Sequence, residues 1–309
     1  MKSCLRCNKP LSTKLALYGQ HSNCFKEIFQ VKDEIEFQSL VRKHFTSDTQ
    51  NYQDNHNPHL TSYFAGNYKK YEGKLGEHSY ILKLSNKEYP ELAPVEYICN
   101  KIGYYCDIQI ATPFTLIELD NNELAFVSRN FMFNRKHHAS LNAIYHYIKP
   151  GPKNYNVEHL SKTIFKETGS VNDVMMFFKT LLFDALIGNH DRHGRNFSLI
   201  ETHKEKRLSP IYDNPSYLGL ESGSMLKAHI AVHGKIWTKD SEEPDIKDYA
   251  KEIMRLNAGR AIHDFLNKIN IHKTKQTIQE AHCLSANMKQ ALYKMVCEQY
   301  DKLINYVNS

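Results

Sequence analysis

The sequence contains no run of the roughly 18 to 20 consecutive apolar residues that a membrane-spanning helix requires. Its first residues, from Met1 to Cys7, contain no apolar core of a signal peptide. Internal repeats of the kind that build solenoid proteins are also absent. We therefore expect a cytoplasmic protein with no membrane partner.

Cysteine is infrequent, and its total of seven is an odd number that argues against a disulfide framework. Three of these residues, Cys4, Cys7 and Cys24, lie near the N-terminus together with His21. The pairs Cys4-x-x-Cys7 and His21-x-x-Cys24 have the spacing of a structural zinc knuckle, and thiols stay reduced in the cytoplasm. We predict a structural Zn²⁺ site at these residues. The alternative is that Cys24 is a packed thiol and the other two thiols are free.

The overall composition is that of a folded, globular chain. Apolar residues make up 41% of the sequence and charged residues 24%, and 19 tyrosines with 15 phenylalanines supply aromatic side chains for a core. This composition excludes wholesale disorder. The net charge of +6 would suit contact with phosphates, but a solvated basic surface explains it as well. We therefore expect no direct binding to nucleic acid.

Apolar periodicity divides the chain into two parts of different character. Strand-like runs with one helix precede residue 130, whereas helical spacing dominates after residue 155. This order predicts an α+β fold with two lobes, a β-rich N-lobe and a mainly helical C-lobe. The predicted boundaries are residues 1–30 for the Cys/His segment, 31–130 for the N-lobe and 131–309 for the C-lobe.

The bounds of individual elements follow from turn residues and apolar spacing. Residues 46–76 have little periodicity and predict a long loop. The other expected elements are a strand over 79–84, a helix that Pro94 opens and Gly103 ends, a hairpin of strands 114–119 and 123–129, an apolar helix from Val174 that Gly188 ends, strands 197–200 and 208–212, and helices around 262–269 and 296–307.

Polar residues are concentrated directly after the long apolar helix, in residues 188–197. Asn196 follows Asp191 by five residues, and Asp213 comes after the next hairpin. This spacing is typical of phosphoryl transfer in protein-kinase-like folds. Asn196 and Asp213 would supply the hard oxygen ligands that Mg²⁺ prefers. Asp191 would orient the acceptor hydroxyl and take its proton.

A cation for the phosphates is predicted at Lys83, which lies inside an apolar strand. Burying a lysine is costly unless it is paired, and Glu96, thirteen residues later on the next helix, is the expected partner. Alternatively, Lys83 is an edge-strand lysine that reaches solvent, and Glu96 is an acid favoured by the N-terminus of its helix.

The segments 80–83, 89–96, 188–199 and 208–213 resemble the successive motifs of the HipA-like serine/threonine kinases, the toxin kinases of bacterial toxin–antitoxin modules. The resemblance spans roughly residues 60 to 270. It implies a two-lobed, protein-kinase-like fold and the use of Mg-ATP to phosphorylate a cytosolic protein. In characterised relatives the target is an aminoacyl-tRNA synthetase, so that charging fails and translation stops.

The resemblance also assigns a role to each of the five residues named above. The matches are the catalytic aspartate (Asp191), the Mg²⁺ ligands (Asn196 and Asp213), the ATP-phosphate lysine (Lys83) and its partner (Glu96). His193 matches a family position as well, where it would be either catalytic or a structural residue that holds the loop.

Two features depart from the family pattern. The family's phosphate loop has only a loose match in residues 60–70, where Ser62 is a candidate for autophosphorylation and Gly66 a candidate ATP-binding glycine. An ordinary surface loop is the alternative. The chain also lacks the additional N-terminal subdomain of full-size HipA proteins, as do the short HipT-type kinases. A HipS-like protein that supplies this subdomain and a HipB-like antitoxin are therefore expected partners.

We predict an ATP-dependent serine/threonine kinase that acts as the toxin of a HipBST-like module. Two other functions remain open. One is a small-molecule phosphotransferase of the same fold, and the other is a non-catalytic, nucleic-acid-binding regulator with a zinc knuckle and a degenerate kinase fold. The second is disfavoured because Asp191 and Asp213 would be costly neighbours without a metal ion.

Overall fold

The computed structural model of the chain describes residues 2–11, 16–42, 69–120, 122–133, 139–149, 154–221, 225–226 and 231–309. The strands in these ranges are β1 (Ala16–Leu17), β2 (Gln20–His21), β3 (Gln38–Arg42), β4 (Lys69–Leu75), β5 (His78–Leu84), β6 (Phe114–Glu118), β7 (Leu124–Arg129), β8 (Ala139–Ala143), β9 (Ser198–Thr202) and β10 (Lys206–Leu208). The α-helices are α1 (Ser22–Phe29), α2 (Leu92–Tyr105), α3 (Val157–Thr168), α4 (Val171–Ile187), α5 (Ile246–Arg255), α6 (Arg260–Lys268), α7 (Ile271–Gln279) and α8 (Ala286–Val307). Among the helices of these ranges, none combines the length and the apolar composition that a membrane span needs.

The N-terminal part is built on a five-stranded antiparallel sheet with the order β3-β4-β5-β7-β6. Its central strand, β5, is buried along almost its whole length because helices cover both faces of the sheet. Phe25 and Phe29 of α1 pack with Tyr80 and Leu82 on one face, and α2 packs against β6 and β7 on the other. Since successive side chains of a strand point to opposite faces, Lys83 lies on the α2 face.

The C-terminal part is organised around α4. This helix begins after Ser170, whose hydroxyl accepts a hydrogen bond from the N–H of Asp173, and it ends at Gly188, whose φ of 65° few other residues adopt. Its buried side chains contact α3, α5, α6 and α8. Strand β9 of a second, three-stranded sheet (β10-β9-β8) begins at Ser198. The loop over 188–197 is therefore held at both ends by buried elements.

Most of the predicted elements are confirmed. The strand over 79–84 is β5, the predicted hairpin is the antiparallel pair β6 and β7, and the long apolar helix ending at Gly188 is α4. The two C-terminal helices are α6 and α8. Apolar runs and helical apolar spacing were the signals for β5 and the helices, and the turn residues between β6 and β7 were the signal for the hairpin.

The predicted long loop over 46–76 is wrong for residues 69–75, which form β4 and pair with β5 along their whole length. Residues 43–68 lie outside the described ranges. The buried positions of β4 include Lys70 and Gly73, so the strand has no apolar alternation to recognise. At Gly73 an added Cβ would lie 2.8 Å from the end of the Leu40 side chain and 3.1 Å from Phe37, so a larger residue would require these neighbours to shift.

Two further boundaries differ from the prediction. Helix α2 begins at Leu92, before Pro94, and continues through Gly103. Gly103 serves close packing, because an added Cβ would lie 2.4 Å from Ile110 and 2.9 Å from Phe183. The predicted strand over 208–212 ends at Leu208, and beyond it Ile211 forms an isolated parallel bridge with Ile110.

We expect Phe183→Ala to lower the free energy of unfolding by about 3 to 5 kcal/mol, because its fully buried ring lies in the centre of the core around α4. The matched control is Phe165→Ala in α3, whose residue is 50% exposed. Urea unfolding followed by circular dichroism measures both changes. Equal midpoints for the two variants would contradict the central position of α4.

Candidate active site

Strand β5 and helix α2 bring Lys83 and Glu96 together, as the sequence predicts. The Lys83 ammonium donates a hydrogen bond to Glu96 Oε1, and both side chains are almost completely buried. The same ammonium lies 2.5 Å from Asp213 Oδ1. Lys83 is therefore neither an edge-strand lysine nor exposed, and it joins the sheet, α2 and the segment after β10.

A second lysine, Lys70, completes this cluster and was missed in the sequence. It is the direct cross-strand neighbour of Lys83, and its ammonium donates to Asp213 Oδ2 at 3.1 Å. Two like charges at facing positions repel each other unless an anion lies between them. Each oxygen of Asp213 therefore serves one lysine. Only the β4–β5 register reveals Lys70, because the residues around it gave no strand signal.

The lysines determine the protonation state of Asp213. Burial alone would raise the pKa of this carboxyl, but Lys70 and Lys83 outweigh it and hold the pKa well below its usual range. Burial also opposes the charge on Lys83, yet Asp213 and Glu96 raise the pKa of its ammonium. Burial lowers the pKa of Lys70, and neighbouring Lys83 adds to that effect. Asp213 is thus a carboxylate throughout the physiological pH range.

The backbone of Asp213 is unusual as well. Its φ of 60° lies in the left-handed region that few residues other than glycine adopt. The following residue, Asn214, is fully buried, and its N–H donates to Glu96 Oε1 at 3.3 Å. Its side-chain amide donates to Asn100 of α2 at 3.0 Å. These contacts hold the strained turn and place Asp213 between the two lysines.

Asp191 is held by its backbone, while its carboxylate is accessible. Its N–H donates to the side chain of Asn189 at 3.0 Å, and its carbonyl oxygen accepts from the N–H of His193 at 2.8 Å. The Asp191 side chain is 55% exposed, and its Oδ1 lies 3.8 Å from His193 Nε2. The surrounding protein reduces the hydration of this carboxylate and raises its pKa, an effect that His193 partly offsets.

Asn196 is fully buried at the end of the same loop. Its amide N–H donates to the carbonyl of Asp191 at 3.1 Å. Its Oδ1 is buried without a hydrogen-bond partner among the residues that the structure describes. Buried acceptors are nearly always satisfied, so a lone one indicates a ligand or an ordered water. The amide of Asn196 therefore has the chemistry of a metal ligand.

The loop is organised by a third buried cation, Arg192, which the sequence did not reveal. Its guanidinium forms a two-point contact with Asp184 of α4, with distances of 2.8 and 2.9 Å. It also donates to the carbonyls of Asn196 and Tyr212, at 3.1 and 2.8 Å, and to Asn214 Oδ1 at 2.5 Å. One side chain therefore ties the loop after α4 to the segment that carries Asp213.

The structure thus brings Lys83, Glu96 and Asp213 into direct contact and places Asp191, His193 and Asn196 on one loop, which Arg192 joins to the Asp213 segment. Ser62 and Gly66 lie outside the described residues. The four predicted zinc ligands form a separate cluster near the N-terminus, where their ligand atoms all lie within 4.8 Å of one another.

A comparison with protein families identifies the relationship of the chain. The family described as the HipA-like C-terminal domain matches residues 52–289. This chain belongs to the HipA-like family. The match includes every residue of the cluster around Asp213 and of the loop after α4, so the predicted resemblance is confirmed.

A curated protein is similar to part of this chain. A Haemophilus influenzae protein named "Putative kinase" is 30% identical over 152 residues, which are 44% of each chain. The chain thus spans less than half the length of this curated relative.

Two solved structures share the fold at low sequence identity. The Helicobacter pylori proinflammatory kinase CtkA has a TM-score of 0.64 at 17% identity, covering 78% of this chain and 90% of its own. Shewanella oneidensis HipA, solved with HipB and operator DNA, has a TM-score of 0.55 at 15% identity, covering 79% of this chain and 65% of its own. The kinase-like fold with a β-rich N-terminal part and a helical C-terminal part is confirmed.

We expect Asp184→Asn to lower the free energy of unfolding by about 3 to 5 kcal/mol, because it leaves the Arg192 cation buried without its charge partner. The control is Glu205→Gln, which removes the partner of Arg207 in an exposed pair and should leave the urea midpoint unchanged. A similar midpoint for the two variants would show that the Arg192–Asp184 pair does not stabilise the loop.

Proposed function

We propose that this protein is a Mg-ATP-dependent serine/threonine protein kinase. The observation that carries the proposal is the cluster of Lys83, Glu96 and Asp213 beside a loop with an accessible Asp191 and a buried Asn196. Each has the chemistry that phosphoryl transfer needs at that place: cations for phosphates, oxygen ligands for a metal, and a carboxylate for the acceptor. Membership of the HipA-like family supports this reading.

The residues present fit a nucleotide with its metal ion. Bound Mg-ATP would supply the phosphoryl group to be transferred and a divalent charge that neutralises part of the charge on its phosphates. The Asp213 carboxylate and the unpartnered Asn196 Oδ1 are the hard oxygen donors that would hold Mg²⁺. Lys83 and Lys70, which share the Asp213 carboxylate, would hold phosphate oxygens, and Glu96 keeps the Lys83 ammonium in place.

Asp191 would orient the acceptor hydroxyl and accept its proton at the carboxylate. Its raised pKa makes this carboxylate a better proton acceptor than an ordinary aspartate. Its exposed side chain leaves room for a hydroxyl presented by a large acceptor. His193 lies 3.8 Å away, and its backbone N–H holds the Asp191 carbonyl. We therefore assign His193 to positioning the aspartate rather than to proton transfer.

The proposal extends to the biological role. We infer that the kinase is the toxin of a HipBST-like module with HipS-like and HipB-like partners, and that its target is a translation protein such as an aminoacyl-tRNA synthetase. Family membership and the Shewanella HipA solved with HipB and DNA support this role. Autophosphorylation at Ser62 and nucleotide binding at Gly66 belong to the same proposal.

We expect Asp191→Asn to lower the rate of phosphate transfer by about 10² to 10⁴-fold, because the amide cannot accept the hydroxyl proton. Mg-ATP binding should stay close to that of the wild type, since Asp213 and Glu96 hold the ammonium groups of Lys70 and Lys83. The control is Asp264→Asn on helix α6, which removes a partly exposed carboxylate far along the chain from the loop. Transfer from γ-labelled ATP to proteins of a bacterial lysate, with calorimetry of ATP binding, measures both properties.

The outcomes of this assay separate the candidate functions. A labelled protein band with the wild type and with Asp264→Asn, but not with Asp191→Asn, supports a protein kinase. If the label appears only in small molecules, the protein is a phosphotransferase whose acceptor is a small molecule rather than a protein. Equal transfer by all three proteins would remove the assignment of Asp191, and a wild type that does not bind ATP would indicate a degenerate fold.

A second prediction concerns the metal. Asn196→Ala should raise the Mg²⁺ concentration needed for half-maximal ATP binding by at least about tenfold, because the variant loses an oxygen ligand. Asn196→Asp keeps an oxygen at this position and should raise this Mg²⁺ concentration less. The control, Asn287→Ala, changes an exposed residue in α8. Magnesium titrations that coincide for Asn196→Ala and the wild type would contradict the ligand role.

A further inference from the structure

The cluster formed by Cys4, Cys7, His21 and Cys24 plays no part in the proposed transfer of phosphate. Two separate turns supply its members: Cys4 and Cys7 belong to a short loop closed by a bridge between Ser3 and Pro10, and His21 and Cys24 flank the start of α1. Their four ligand atoms all lie within 4.8 Å of one another. Tetrahedral zinc sites made of thiolates and imidazole place their ligands about 2.0 to 2.3 Å from the metal, so a group this compact needs little adjustment.

The hydrogen bond of His21 determines which of its ring nitrogens can bind a metal. Nε2 lies 3.0 Å from the carbonyl oxygen of Pro10. A carbonyl only accepts, so Nε2 carries the proton and Nδ1 carries the free electron pair. Nδ1 lies 3.3 Å from the sulfur of Cys7 and 4.0 Å from that of Cys24. This contact fixes the tautomer of the imidazole. Metal-binding histidines commonly donate their other ring N–H to a backbone carbonyl in the same way.

The backbone around Cys4 also favours a metal site. The N–H of Cys4 donates to the carbonyl of Lys9 at 2.9 Å, and the N–H of Asn8 donates to the carbonyl of Cys4 at 2.9 Å. Asn8 has a φ of 60°, which reverses the chain directly after Cys7. The sulfur of Cys4 accepts the N–H of His21 at 3.5 Å, which joins the two turns. The fold of this loop therefore brings the thiols of Cys4 and Cys7 close together.

The cluster lies where the segment meets the edge of the five-stranded sheet. The N–H of Glu118 in the edge strand β6 donates to the carbonyl of Tyr18 at 3.0 Å. The fully buried side chain of Gln20 donates to the carbonyl of Leu116 at 2.8 Å. Gly19 permits this approach, because an added Cβ would lie 2.9 Å from Leu5 and 3.1 Å from Glu118. The hairpin next to His21 thus covers an edge that would otherwise expose unpaired backbone groups.

We propose that these four residues bind one Zn²⁺ ion, which fastens the N-terminal loop to α1 and holds the segment over the edge of β6. The three thiols bind as thiolates and release their protons to solvent, and His21 binds through Nδ1. Four protein ligands leave no open position, so the ion is structural. The complex carries a net negative charge at the start of α1, where the helix dipole favours an anion. This site is independent of the proposed kinase activity.

Metal content of the full chain is the first test. Inductively coupled plasma mass spectrometry of the purified protein should find one zinc per chain, and Cys7→Ser and His21→Ala should lower the content at least several-fold. The matched control is Cys297→Ser in α8, whose thiol lies outside the cluster and should leave the zinc content unchanged. Zinc that is absent from the wild type, or retained in both cluster variants, would overturn the proposal.

A measurement on the wild type keeps the proposal testable if the variants fail to fold. Alkylation followed by peptide mass spectrometry should label Cys4, Cys7 and Cys24 only after a chelator removes the metal. Substitution with Co²⁺ should give the visible absorption of a tetrahedral site and the near-ultraviolet band of sulfur-to-metal charge transfer. Labelling of the three thiols without chelator, a disulfide among them, or a Co²⁺ spectrum without thiolate bands would overturn the assignment.

Chelation should also change the stability of the segment without requiring any catalytic readout. Amide hydrogen exchange should become faster in α1 and in β6 after the metal is removed, because α1 begins at the cluster and β6 contacts the hairpin that leads to His21. Exchange in α6, which lies in the C-terminal part, serves as the internal reference. Unchanged exchange in α1 and β6 would show that the metal does not hold the segment to the sheet.

Discussion

Arg192 and Asp184 form an ion pair that is removed from solvent, and the geometry of the candidate site follows from it. The guanidinium is fully used: two contacts reach Asp184 on the central helix, and the others reach the carbonyls of Asn196 and Tyr212 and the side chain of Asn214. A planar group with several donors in fixed directions can determine the relative position of three segments at once, which a lysine could not do. The loop bearing Asp191 and the turn bearing Asp213 therefore form one unit anchored on α4.

The same region obeys a constraint of charge. Lys70, Lys83 and Arg192 are buried cations, and Asp184, Glu96 and Asp213 are buried anions, so the charges balance without solvent. Removing any member would leave an uncompensated buried charge, which is far more costly than losing the pair as a whole. The arrangement thus holds Asp213 ionised and keeps two ammonium groups beside it.

Much of this arrangement could be predicted from the sequence, and the part that could not has a common cause. Lys83, Glu96, Asp191, Asn196 and Asp213 were chosen as candidates because each lies beside an element with clear apolar spacing, and their order along the chain resembles that of kinase motifs. Lys70 was missed because its strand buries polar residues, and only pairing with β5 creates that strand. Arg192 was missed because its five-donor role depends on segments that meet only in the folded chain. Gly103 was predicted to end its helix, but it lies within α2, where the absence of a side chain allows close packing against Phe183. No local sequence pattern reveals such a contact.

Strand β5 links the packing of α1 to the position of Lys83. Its side chains alternate between the faces of the sheet, so Tyr80 and Leu82 pack with Phe29 of α1 while Lys83 points toward α2 and Asp213. The Cys/His cluster is located at the start of α1, because His21 directly precedes the helix and Cys24 lies in its first turn. The aromatic side chains of α1 pack against one face of β5. A shift of β5 by one residue would exchange its apolar and charged faces, so the packing of α1 and the position of Lys83 depend on the same register.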